Sequence, residues 1–67
     1  MHPENAAVYN ALGRLAIKTG QWQKAVERLE KAWLLDKTNP NTPCLLAQAY
    51  QGAGQQEKSS EFARLCK

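Results

Sequence analysis

The stretch Gly20-Gln21-Trp22-Gln23-Lys24-Ala25 (GQWQKA) has a partner in Gly54-Gln55-Gln56-Glu57-Lys58-Ser59 (GQQEKS), 34 residues further on. Both begin Gly-Gln and both carry Lys at the fifth place. If the two are one structural unit written twice, the rest of the chain should repeat at the same offset. A shift of 34 also pairs Asn5 with Asn39, Leu12 with Leu46 and Glu27 with Glu61. Gly13 then meets Ala47, Ala25 meets Ser59 and Ala32 meets Cys66, placing small residues opposite small residues where helices approach closely. Turn falls on turn and apolar residue on apolar residue, as a true internal repeat requires.

The segments between the turns read as helices. Breaking signals fall at Pro3, at Thr19-Gly20, across Lys37-Thr38-Asn39-Pro40 with Pro43, and at Gly52 to Gly54. Between them lie four segments rich in Ala, Leu, Lys, Glu and Gln, all good helix formers. None shows the period-two alternation of a strand. The expected helices run about Asn5 to Thr19, Trp22 to Leu35, Asn41 to Ala53 and Gln56 to Cys66. Val8, Leu12, Leu15 and Ala16 recur at helical spacing in the first. Trp22, Ala25, Val26, Leu29, Ala32 and Trp33 do so in the second, Leu46, Ala49 and Tyr50 in the third, and Ser59, Phe62, Ala63 and Cys66 in the fourth. Asn5 or Glu4 can cap the first helix, and Gly20 stands where a left-handed residue closes it. Short connections force neighbouring helices antiparallel. The fold class is therefore all-α: two antiparallel helix-turn-helix hairpins in a single domain over residues 1–67, with repeat one about 6–39 and repeat two about 40–67.

At this point the chain resembles the tetratricopeptide repeat family, whose unit is a 34-residue helical hairpin. Tyr9, Leu12, Gly13 and Ala16 match the family's first helix, and Gly20, Trp22, Ala25, Leu29 and Ala32 match its turn and second helix. Leu46, Ala47, Tyr50, Gly54, Ser59 and Cys66 carry the match in the second unit. Ala16 is small where a bulky residue is usual, Lys37 replaces a proline, and Pro43 and Gln56 replace aromatics. The second unit is the weaker match, and without a counterpart of Trp22 its hairpin is expected to be the softer one. His2-Pro3-Glu4-Asn5 falls where a preceding unit would end. With no polar capping helix after Lys67, the expectation is an excerpt of a longer helical-repeat array, an α-solenoid, with apolar end faces that favour self-association.

Composition bounds the function. An apolar share of 43% is too high for a disordered chain, and no apolar run approaches the ~20 residues of a membrane span. Nine Lys and Arg against six Asp and Glu give a net charge of +3, but the basic residues are scattered. Neither a membrane nor a nucleic-acid partner is expected. The one histidine, His2, lies at the terminus, so no Ser-His-Asp or Cys-His set can be assembled. Glu27, Glu30, Glu57 and Glu61 read as a solvated face, with Glu27 and Lys31 spaced for a surface ion pair. No catalysis, cofactor or metal is expected. Cys44 and Cys66 stand 22 residues apart with no Cys-x-x-Cys spacing. They are expected to be reduced thiols filling small apolar places, which leans towards a cytoplasmic setting. Trp22 and Trp33 are expected to pack rather than to stack on bases.

The resemblance implies where binding would occur. In that family the first helix of each unit lines a concave groove. Carried over by register, the positions are Ala7, Asn10, Ala11, Arg14, Ile17 and Lys18, then Asn41, Cys44, Leu45, Gln48 and Gln51. Asn10, Arg14, Ile17 and Lys18 share one helical face. Asn10, Arg14 and Gln48 could hydrogen-bond a peptide backbone or carboxylate, with Lys18 adding positive potential. Those expected to contact a protein or peptide ligand are Asn10, Arg14, Ile17, Lys18, Cys44, Gln48 and Gln51. The expected function is a non-catalytic protein-binding scaffold; the alternative is a structural spacer or self-associating unit of a larger protein.

Overall fold

A computed structural model describes residues 5–66. The described residues form four α-helices: α1 (Ala6–Lys18), α2 (Trp22–Leu35), α3 (Asn41–Gly52) and α4 (Gln56–Leu65). Among the described residues there is no strand. Helices α1 and α2 pair as one hairpin, α3 and α4 as the other, and α3 packs chiefly on α2 and at its edge on α1. Met1, Lys67 and the residues His2, Pro3 and Glu4, on which the reading of a preceding unit and the alternative cap depend, lie outside the described residues.

The two Gly-Gln turns have the same geometry. Gly20 has φ +74° and Gly54 φ +83°, a left-handed conformation that a side chain would strain. The Gly20 N–H donates to the Ile17 carbonyl and the Gln21 N–H to that of Ala16, at 3.1 and 2.8 Å. The Gly54 N–H donates to Gln51 and the Gln55 N–H to Tyr50, again at 3.1 and 2.8 Å. This is the paired-bond helix terminus known as the Schellman motif, formed twice, 34 residues apart.

The remaining ends are also satisfied locally. Asn5 caps α1, its side chain accepting from the Ala7 N–H at 2.9 Å. Helix α2 stops at Asp36, whose carboxylate accepts from the Thr38 N–H at 2.9 Å. The hydrogen bonds from Thr38 hold the Asp36 carboxyl below its ordinary pKa. At the start of α3 the Asn39 side chain accepts from the Asn41 N–H at 2.9 Å. Pro43 sits in the first turn, where its missing N–H costs no helical bond.

The core lies between the hairpins. Ala25, Leu29 and Ala32 of α2 and Leu46 and Ala49 of α3 are fully buried, and Ala16, Val26 and Tyr50 nearly so. Burying a leucine of this kind contributes roughly 1.5–3 kcal/mol. Gly13 lies against the Leu29 side chain, and Gly52 at the end of α3 lies beneath the Trp22 ring, each leaving no room for a Cβ. Phe62 of α4 packs edge-on to Trp33 at 5.9 Å and stacked on Tyr50 at 5.7 Å between ring centroids. The Tyr50 hydroxyl donates to the Glu30 carboxylate, and Ser59 Oγ donates to the Ala47 carbonyl at 2.8 Å. The Lys31 ammonium lies 5.7 Å from the Tyr9 ring centroid.

Two features differ from the sequence reading. Cys44 and Cys66 are not reduced thiols; they form a disulfide, with Cα atoms 4.8 Å apart. The antiparallel hairpin brings the first turn of α3 beside the residue that follows α4, a proximity that a 22-residue spacing does not reveal. The bridge closes the open end of the hairpin expected to be softer, whose α4 contributes no fully buried residue. The cytoplasmic expectation rested on reduced thiols and gains no support from this pair. Second, of the apolar stripe of α1 only Ala16 faces the core. Val8, Leu12 and Leu15 are 50, 41 and 59% exposed, whereas Asn10, Gly13 and Ala16 are buried. The cause is local: α2 and α3 cover one side of α1, and none of the four helices covers the other.

Candidate binding groove

A shallow groove runs between α1 and α3. One part of it is lined by Ala7, Asn10, Ala11 and Arg14 from α1, with Asn39, Asn41 and Leu45 opposite. An adjoining part is lined by Arg14, Asn41, Cys44 and Leu45. Ala7, Ala11 and Arg14 fall one helical turn apart or nearly so, which sets them on one edge of α1. Asn41, Cys44 and Leu45 do the same on α3. Small residues at 7 and 11 keep the groove open. Ala7, Ala11 and Leu45 supply its apolar surface, three carboxamides its polar surface, and its one charged lining residue is Arg14.

Asn10 is held more tightly than the others. It is 8% exposed, and its Oδ1 accepts from the Oγ1 of fully buried Thr42 at 3.0 Å. That bond joins the two hairpins across the groove floor and leaves the Asn10 amide NH2 to donate to a bound chain. Arg14 is exposed. Its guanidinium is permanently charged and can take a carboxylate through two parallel hydrogen bonds. An extended peptide passing over Leu45 and Ala11 would meet the carboxamides with its backbone and Arg14 with an acidic group.

The comparisons with known proteins add no relative. No family model matches the chain, and no curated protein or solved structure matches it.

The structure gathers some of the expected positions and separates others. Asn10, Arg14 and Cys44 line the groove together with Ala7, Ala11, Asn41 and Leu45. Ile17 is half-buried and packs against the core. Lys18 lies beyond Arg14, in a separate depression with Ala11, Arg14 and Leu15. Gln48 and Gln51 are exposed on α3 and line neither part of the groove. Asn39 is the one lining residue that register did not indicate. Its place follows from the loop entering α3, where an Asx-type bond to Asn41 holds it at the groove edge.

Among the described residues no three His, Cys, Asp or Glu side chains come together to hold a metal ion. Nor, among the described residues, is any helix long and apolar enough to cross a membrane.

Proposed function

We propose that this chain is a non-catalytic protein-interaction scaffold, built like a pair of tetratricopeptide hairpins, whose α1–α3 groove takes an extended peptide or a partner helix. The observation that carries the reading is the groove itself: two alanines and a leucine, three carboxamides and one arginine, with no carboxylate among its lining residues. Such a lining suits a peptide backbone bearing an acidic side chain or terminus. The two Schellman turns 34 residues apart support the family-like build. The test is an immobilised peptide library scored for binding to the chain and to the Arg14→Glu, Lys18→Glu double variant. Capture should be abolished in the double variant with helicity by circular dichroism unchanged. Binding retained by the variant would sink the groove assignment.

A second reading has its own observation. Under the 34-residue shift, exposed Val8, Leu12 and Leu15 correspond to Thr42, Leu46 and Ala49, all fully or nearly fully buried against the first hairpin. The chain thus carries twice, and covers once, the face that docks on a neighbouring hairpin. On this reading it is a spacer or self-associating unit, with another hairpin or a second copy on that face. Sedimentation showing only monomer across a wide concentration range would count against self-association.

A further inference from the structure

The face opposite the groove holds a second cleft, between α2 and α4, that the proposed function does not use. Its lining is disjoint from that of the groove. Trp33, Tyr50 and Phe62 form its walls and floor, and Glu30, Glu61 and Lys58 stand at its rim. The three rings are locked in place: Phe62 meets Trp33 edge-on and Tyr50 face-on, and Tyr50 is held beneath by its bond to Glu30. Two carboxylates and one ammonium leave the rim with one negative charge in excess, on a chain of net charge +3. The face of an aromatic ring also attracts cations. A cation already uses it, since the Lys58 Nζ lies 5.9 Å from the Tyr50 ring centroid.

We propose that this cleft binds the guanidinium group of an arginine side chain on a partner protein, and that Lys58 is its built-in competitor. A guanidinium is planar and weakly hydrated, so it can lie against Trp33 or Phe62 while its N–H fork reaches Glu61. An ammonium is a compact, strongly hydrated point charge and uses such a slot less well. Lys58, tethered on α4, neutralises part of the rim when no arginine is present. Arginine binding displaces the lysine into solvent and takes over its partial neutralisation of the two carboxylates.

The test is a titration of the 15N-labelled chain with N-acetyl-argininamide, following the indole N–H of Trp33. The Trp22 indole, at the other end of α2, serves as the internal control. Saturable shifts are expected at Trp33 and Phe62, with a Kd on the order of millimolar for one side chain. The citrulline analogue, which has the same shape without the charge, should bind at least about tenfold more weakly. Glu61→Gln should weaken arginine binding about fivefold, and Lys58→Ala should tighten it severalfold, because a rival cation is gone. Both residues are exposed, so neither change threatens the fold. Equal shifts with citrulline, equal binding of the lysine analogue, or no saturable shift at Trp33 would each overturn the assignment. Unchanged or weakened binding in Lys58→Ala would overturn the competitor role. None of these outcomes bears on the α1–α3 groove.

Discussion

Gly13 of α1 lies directly against the side chain of Leu29 on α2, and the space between them is too small for a methyl group. Leu29 is fully buried and has nowhere to retreat. Gly13→Ala gains up to about 1 kcal/mol in helix propensity but overpacks the interface, which typically costs about 1–3 kcal/mol. The variant is expected to be less stable by about 1–2 kcal/mol, read as a lower urea midpoint at unchanged slope. A variant as stable as the parent would show that the hairpin can open there without loss.

The disulfide between Cys44 and Cys66 closes a loop with a sequence separation of 22. Constraining the unfolded chain over a loop of that size stabilises the fold by about 3 kcal/mol. Reductant should therefore lower the unfolding midpoint of the parent and leave a Cys44→Ala, Cys66→Ala variant unaffected. Loss of order on reduction should begin in α4, which has no fully buried residue, and amide hydrogen exchange measures it residue by residue.

Thr42→Val keeps the shape of a fully buried side chain but removes the hydrogen bond to Asn10. The stranded Asn10 oxygen makes this costly, by about 1–3 kcal/mol. Thr42→Ser, which keeps the hydroxyl, should lose clearly less. Because Asn10 borders the groove, the valine variant should also weaken any peptide found to bind there, whereas the serine variant should not. Chemical denaturation and peptide titration of both variants check the two halves of this expectation.

Tyr50 makes stability depend on alkaline pH. Burial, the hydrogen bond to Glu30 and the negative charges of Glu30 and Glu61 all push its phenol well above the ordinary value. The folded chain thus keeps a proton that the unfolded chain releases near pH ~10. Its contribution is fully present below that pH and is lost as pH rises beyond it. Melting temperatures from pH 8 to 11 should fall more steeply for the parent than for Tyr50→Phe. Parallel curves would mean that the phenol titrates normally.

Much of the architecture was legible because helical hairpins are governed by local rules. Periodicity placed all four helices to within about a residue at each end, and the two Gly-Gln pairs marked turns whose geometry proves identical. The groove positions Ala7, Ala11, Arg14, Asn41 and Leu45 were what the family resemblance implied, carried over by register. The α2–α4 cleft was not legible. Glu30 and Glu61 read as solvated carboxylates, and no local signal shows that α4 brings Glu61 and Phe62 beside Trp33 and Tyr50.

What the sequence determined by itself is everything whose cause lies within a few residues: helix, cap, left-handed glycine and the 34-residue repeat. The tertiary structure alone decided three further matters. It put Val8, Leu12 and Leu15 on the outside, because an apolar stripe is buried only if another helix lies on that side. It spent the Asn10 oxygen on Thr42, because packing α3 beside α1 leaves a buried hydroxyl that needs an acceptor. And it joined Cys44 to Cys66, because a cysteine on α3 and one just past α4 meet only when the hairpin sets their Cα atoms within bonding reach.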